Sequence, residues 1–173
     1  MDINKDKNDF VNHGLTTPFF TLNGQCSKGR LVDIIDGDSV HVILPVFNNY
    51  YKYSVRLNGI DTCEMKSKNE QLKKKAVLAR NTLFKLVNKK IDILSDVTKV
   101  DVKNFLNENV IIVWVECLEF DKYGRLLANV YAVDDDYNKI GDSFSDHLLK
   151  NDLAYAYMGK TKLTEDEQLN EIK

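Results

Sequence analysis

Apolar residues recur at Leu72, Ala76, Ala79, Leu83 and Leu86, spaced four and three apart, which predicts an amphipathic helix over roughly 68–89. That helix interrupts a chain whose other apolar runs are short and strand-like. Before it, 29–36 carries Leu31, Val32, Ile34 and Ile35, 40–44 reads as a second strand, and 50–57 alternates as a third. Pro45 and Asn48-Asn49 mark a turn that joins the second and third strands in a hairpin. After the helix, 110–120 reads as a long buried strand on its continuous apolar run from Val110 to Val115, and 125–133 forms the next strand, ended by Asp134-Asp135-Asp136. Residues 90–109 show no clean period and read as an inserted connection with some local structure.

Five strands with a helix between the third and fourth predict a mainly β fold with α: a five-stranded closed barrel of the OB type with two or three flanking helices. The order is not β-α-β throughout, which disfavours a doubly wound parallel sheet. A further helix is expected from Ser143 or Ser145 to about 151, with Ser143 and Asp146 as a capping pair. Residues 163–173 fit a short acidic helix. The 173 residues suit one domain, expected to be monomeric: a flexible leader at 1–17, the barrel at 18–160, and a tail or short helix at 161–173.

Hydrophobic residues make up 43% of the chain, enough to fill a core. No apolar run approaches the ~20 residues of a membrane helix. Residues 1–12 are polar and lack an apolar signal core, so the expected setting is intracellular, away from membranes. Cys26, Cys63 and Cys117 have no CxxC spacing, which argues against a disulfide framework and a zinc site. Net charge is −2, with a pI near 5.9, so any nucleic-acid contact must come from a local site rather than a basic surface. Lys73, Lys74, Lys75 and Arg80 read as the solvated outer face of the helix.

Three segments hold the chemistry. Asp36-Gly37-Asp38-Ser39 begins a strand, Arg56-Leu57-Asn58-Gly59-Ile60-Asp61-Thr62-Cys63-Glu64 follows another, and Asp121-Lys122-Tyr123-Gly124-Arg125 is a turn. Read alone, each is an ordinary turn with surface charge. Together they supply an oxygen-rich hard site from Asp38, Asp61 and the Thr62 carbonyl, of the kind calcium accepts. Glu64 is placed to orient or deprotonate a water. Arg56 and Arg125 can each grip two phosphate oxygens. If Val55 and Leu57 face the core, Arg56 faces outward over the barrel. The stretch 134–145 superficially resembles a calcium loop, but Lys139 stands at its glycine position and Ser145 at its glutamate position.

These residues resemble the staphylococcal nuclease (thermonuclease) family over roughly 29–158. The likeness comprises Asp-Gly-Asp-Ser, Arg56 followed by Gly-Ile-Asp-Thr-x-Glu, Asp-Lys-Tyr-Gly-Arg, and His147-Leu148-Leu149-Lys150-Asn151-Asp152-Leu153-Ala154. The resemblance implies an OB barrel and calcium-dependent hydrolysis of DNA and RNA, with single strands preferred and 3′-phosphorylated ends left. It implies calcium held by Asp38, Asp61 and the Thr62 carbonyl, Glu64 as general base or water-positioning group, and Arg56 and Arg125 on the phosphate. Lys122 and Tyr123 match substrate-contacting positions, and Tyr157, or else Tyr155, matches a tyrosine of the base pocket. The chain departs from the family at Cys63, where proline is usual, in a shorter connection from Glu64 to the helix, and in lacking the signal of the secreted bacterial members. Its lysine- and asparagine-rich style resembles members from large DNA viruses of eukaryotes. The alternative is a non-catalytic nuclease-like module that binds nucleic acid or protein.

Overall fold

The computed structural model describes residues 9–88 and 97–172. Strands β1 (Cys26–Ile34), β2 (Ser39–Val46) and β3 (Asn49–Leu57) form an antiparallel meander. In β2, Val40, Val42, Leu44 and Val46 are buried while His41 and Ile43 are half-buried, the period-2 pattern of a strand with one face on the core. Phe47 and Asn48 turn the hairpin with φ of 51° and 59°. Two consecutive residues at positive φ match the twist of the flanking strands.

Next come the short β4 (Ile60–Asp61), helices α1 (Glu70–Val87) and α2 (Lys99–Glu108), and strands β5 (Ile111–Phe120) and β6 (Leu126–Val133). Strand β5 pairs antiparallel with β1 and with β6. Strand β6 also pairs in parallel with β3, Val55 opposite Leu126 and Leu57 opposite Ala128. That last ladder closes a five-stranded mixed barrel of the OB type, and closure removes the open edges a sheet would expose. Gly29 has no room for a side chain: a Cβ there would sit 2.6 Å from Val42 Cγ1 and 2.7 Å from Leu44 Cδ2.

Outside the barrel lie β7 (Lys139–Ser143), α3 (Phe144–Lys150), β8 (Tyr155–Ala156) and α4 (Glu165–Glu171). Helix α1 starts at Asn69, whose side-chain oxygen accepts from the Gln71 and Leu72 amides. Its Ala79, Leu83 and Phe84 pack on the barrel core with Leu31, Ile34 and Leu148, while Leu72 and Ala76 meet Cys63, Tyr155 and Ile172 in a second apolar cluster. The capping pair of Ser143 and Asp146 opens α3. None of the described helices is long and apolar enough to cross a membrane.

Four expectations change. The described residues carry four flanking helices rather than two or three. Part of the segment expected to be a connection is α2, opened by a reciprocal Thr98–Asp101 cap and anchored by buried Val102 and Leu106. Residues 89–96 of that segment lie outside the described residues. Arg80 is 3% exposed rather than solvated, because its guanidinium reaches the Asn81 side chain at 2.8 Å and the Val97 carbonyl at 2.9 Å. The apolar run of β5 is buried on one face only: Val113, Val115 and Cys117 point inward and Trp114 is half-buried.

Candidate active site

The β1–β2 turn sets the first acidic group. Asp36 Oδ1 accepts from the Asp38 amide at 3.1 Å, and the Ile35 amide donates to the Ser39 carbonyl at 2.9 Å. Gly37 is required here for space: a Cβ would stand 2.7 Å from Ala79 Cβ and 2.9 Å from Thr62 Cγ2. Its absence lets the turn lie against α1 and the loop after β4. Asp38 is thereby held at the mouth of β2, and its carbonyl accepts from the Leu57 amide at 2.8 Å.

The β2–β3 register puts Ser39 opposite Arg56. Asp38 and Arg56 therefore meet across the ladder, with Arg56 Nη1 donating to Asp38 Oδ2 at 2.8 Å. Gly59, at φ 78°, turns the chain back into β4. Arg56 Nη2 then reaches Asp61 Oδ1 at 2.7 Å and the Ile60 carbonyl at 3.1 Å. Arg56 does point away from Val55 and Leu57, but it is buried under β4 and the Tyr157 ring rather than laid open, with the ring centroid 5.5 Å from its Cζ.

Pairing of β4 with β8 sets Asp61 opposite Tyr155, whose hydroxyl donates to Asp61 Oδ2 at 2.5 Å. Lys162, in the segment after β8, places Nζ 3.1 Å from Asp61 Oδ1 and 3.0 Å from Glu64 Oε1. Asp61 is thus fully hydrogen-bonded within the fold, and its side chain is 1% exposed. Glu64 remains open to solvent.

The 121–125 turn is built around one carboxylate. Asp121 Oδ1 accepts from the Tyr123 and Arg125 amides, and Oδ2 accepts from Arg125 Nε at 2.7 Å. The guanidinium of Arg125 is so aimed with its far nitrogens free of Asp121. Tyr123 projects into solvent, its ring centroid 5.7 Å from Arg125 Cζ and 5.1 Å from Lys122 Nζ.

Two adjoining cavities result. The smaller, about 130 Å³, is lined by Asp38, Arg56, Thr62, Glu64, Arg125 and Lys162, with Asp36, Ser39 and Cys63 completing the wall. The larger, about 660 Å³, is lined by Lys122, Tyr123, Tyr157 and Met158, and shares Arg56, Arg125 and Lys162 with the first. Residues from four separated chain segments, 36–39, 56–64, Arg125 and Lys162, therefore border the smaller cavity.

Burial, with Asp36 and Asp61 nearby, pushes the Asp38 carboxyl up to about 7 against the pull of Arg56 and Ser39. Burial also works to raise Asp61, but hydrogen bonds from Tyr155, Arg56 and Lys162 outweigh it and hold that group below the usual carboxylate range. Among the described residues no three carboxylate, imidazole or thiolate groups gather closely enough to hold a metal by themselves. Of the oxygens expected to take a cation, Asp38 and Thr62 border the small cavity, whereas the Asp61 carboxylate lies behind it, bonded to Arg56, Tyr155 and Lys162. They fit a hard divalent ion in kind, all being oxygen. The 134–145 stretch offers no such site, since Asp134 Oδ1 is taken up by the Asp136 and Asn138 amides.

Sequence reading missed Lys162 and set Tyr155 only as the alternative to Tyr157. Tyr155 carried no periodic signal, since Leu153, Ala154 and Tyr155 are buried in succession. Lys162 had none, because its contact with Glu64 spans 98 positions. Cys63 is buried in the second apolar cluster, and burial pushes its thiol up to about 11, so it serves packing rather than nucleophilic chemistry.

The family described as staphylococcal nuclease homologue matches residues 54–173, more than half of the chain. The match takes in Arg56, Asp61, Thr62, Glu64 and Arg125 and begins after Asp38. No curated protein matches the chain.

Proposed function

The chain belongs to the staphylococcal nuclease homologue family, and from that premise we propose that it is a calcium-dependent nuclease hydrolysing phosphodiester bonds in DNA and RNA. Single strands are preferred and 3′-phosphorylated ends are left. The reading rests above all on one observation: Asp38, Arg56, Thr62, Glu64 and Arg125 border a single small cavity that adjoins a larger cleft.

In this reading the cleft takes the nucleic acid and the small cavity takes the scissile phosphate. Arg56 and Arg125 line both spaces, so both guanidiniums can reach one phosphodiester. Each would strengthen its hold as charge builds on the phosphoryl oxygens, and loss of one such donor typically costs about 2.7–4 kcal/mol of barrier. Glu64, solvent-facing at the rim, accepts the proton of the attacking water. Asp38, Asp61 and the Thr62 carbonyl would hold calcium, which when bound supplies Lewis-acid polarisation of the phosphoryl oxygen and charge neutralisation. Tyr155 and Arg56 fix the Asp61 carboxylate in one orientation through bonds of 2.5 Å and 2.7 Å. Lys122 lies along the path of the backbone. The exposed ring of Tyr123 and the ring of Tyr157 offer stacking surfaces to unpaired bases, which favours single strands. The protein acts as a monomer.

One observation favours a second reading, a non-catalytic module that binds nucleic acid or protein. Lys162 already occupies Asp61 and Glu64 with its own positive charge. The two readings separate in a digestion series with Asp38→Ala, Arg56→Ala and Arg125→Ala. The nuclease reading expects each variant, once shown to be folded, to lose turnover by orders of magnitude. Single-strand binding without calcium and without cleavage selects the module.

A further inference from the structure

Lys162 is held in place by the fold rather than left at the end of a loose tail. The neighbouring Leu163 amide donates to the Tyr155 hydroxyl at 3.4 Å, and the Leu163 carbonyl accepts from Gln168 Nε2 at 2.8 Å. Helix α4 follows, tied to the loop before α1 by Ser67 Oγ donating to Glu165 at 2.6 Å, and Ile172 is fully buried against α1. The backbone at 163–172 is thus fixed, and only the four-carbon stem of Lys162 has freedom to move. Its ammonium lies against Asp61 and Glu64, yet the side chain is 46% exposed and borders both cavities.

We propose that Lys162 is a built-in competitor for the divalent ion: it neutralises Asp61 and Glu64 in the metal-free protein and must swing toward the larger cleft when the ion binds. This rests on the calcium reading given above. The physical reason is that Asp61 Oδ1 already faces two cationic groups, Arg56 at 2.7 Å and Lys162 at 3.1 Å. Arg56 is buried and anchored to three acceptors, so it cannot leave. Lys162 is long, half-exposed and held only by two carboxylates. A divalent ion at Asp61 would repel the nearby ammonium strongly in so enclosed a place, so the lysine is the group that yields. Calcium affinity is thereby set lower than the oxygen donors alone would give.

The test is a calorimetric calcium titration of the full chain and of Lys162→Gln, with Lys162→Arg as a charge-retaining control. The expected result is about tenfold tighter calcium binding by Lys162→Gln, with Lys162→Arg close to the parent. Equal, measurable affinities for the parent and Lys162→Gln overturn the competitor role and leave the calcium-dependent nuclease reading standing. No calcium binding by either, together with no cleavage, overturns both. Amine acetylation of the unaltered protein, read by mass spectrometry, needs no variant to fold: Lys162 should be modified faster at saturating calcium than in chelator, and equal rates overturn the proposal.

Discussion

Arg56→Met removes the charge that joins two buried carboxylates while keeping a side chain of comparable length. The guanidinium donates to Asp38 at 2.8 Å, Asp61 at 2.7 Å and the Ile60 carbonyl at 3.1 Å. The side chains of Arg56, Asp38 and Asp61 are 9%, 8% and 1% exposed, so water does not replace what is lost. Removing one partner of a buried pair typically costs about 3–5 kcal/mol. Here the lower end applies, about 3 kcal/mol. Asp61 keeps Tyr155 and Lys162, and Asp38 keeps Ser39 and has a ready escape in taking up a proton. The sign with pH follows from that escape. Asp38 binds its proton more tightly folded than unfolded, its carboxyl lying at about 7 against an ordinary 3.8. Its contribution to stability is full below about pH 4 and is lost as pH rises through about 7. Without Arg56 the folded value rises further, so the deficit of the variant should be larger at pH 8 than at pH 5. Urea denaturation in chelator at both pH values measures this. A deficit below about 1 kcal/mol at pH 8, or one that grows on acidification, would refute the reasoning.

Two further outcomes follow from the packing. Gly37→Ala forces a methyl to within 2.7 Å of Ala79 Cβ and should cost about 1–3 kcal/mol in urea melts, with reduced calcium affinity as the Asp38 turn is displaced; an unchanged midpoint counts against the close approach. Cys26 is exposed whereas Cys63 and Cys117 are buried, with burial pushing both buried thiols up to about 11. A thiol reagent at pH 8 should therefore titrate Cys26 alone until denaturant is added, and rapid labelling of Cys63 would contradict its place in the apolar cluster.

Local patterns carried the barrel and the long helix into view, because each leaves its period in consecutive residues. The alternation through Val40, Val42 and Leu44 and the three-and-four spacing from Leu72 to Leu86 are of this kind. Helix α2 escaped notice because only Val102 and Leu106 are buried, too few for a visible period, though the Thr98–Asp101 cap was there to be read. Strand β7 was hidden for a related reason: it is a mostly exposed edge strand interrupted by Gly141, with little apolar alternation. Arg80 looked like a surface residue because its partner, the Val97 carbonyl, comes from a segment that folds back over α1.

The acidic and basic groups of the site stood in recognisable turns, so their kinds were legible. Their mutual arrangement was not. Whether Asp38 meets Arg56 depends on the β2–β3 register, and whether Asp61 meets Tyr155 depends on a two-residue ladder between β4 and β8. Lys162 enters the site from a part of the chain with no motif at all. Such long-range contacts depend on the whole fold, which is why the most consequential addition to the site came from structure alone.

The central claim is that these converging groups cut phosphodiester bonds with the help of calcium. It is tested most directly by digesting labelled single-stranded DNA in calcium and in chelator and analysing the ends of the products. The account predicts cutting only with calcium, with phosphate on the 3′ ends and hydroxyl on the 5′ ends. Absence of cutting at any calcium level, undiminished cutting in chelator, or 5′-phosphorylated products would contradict it.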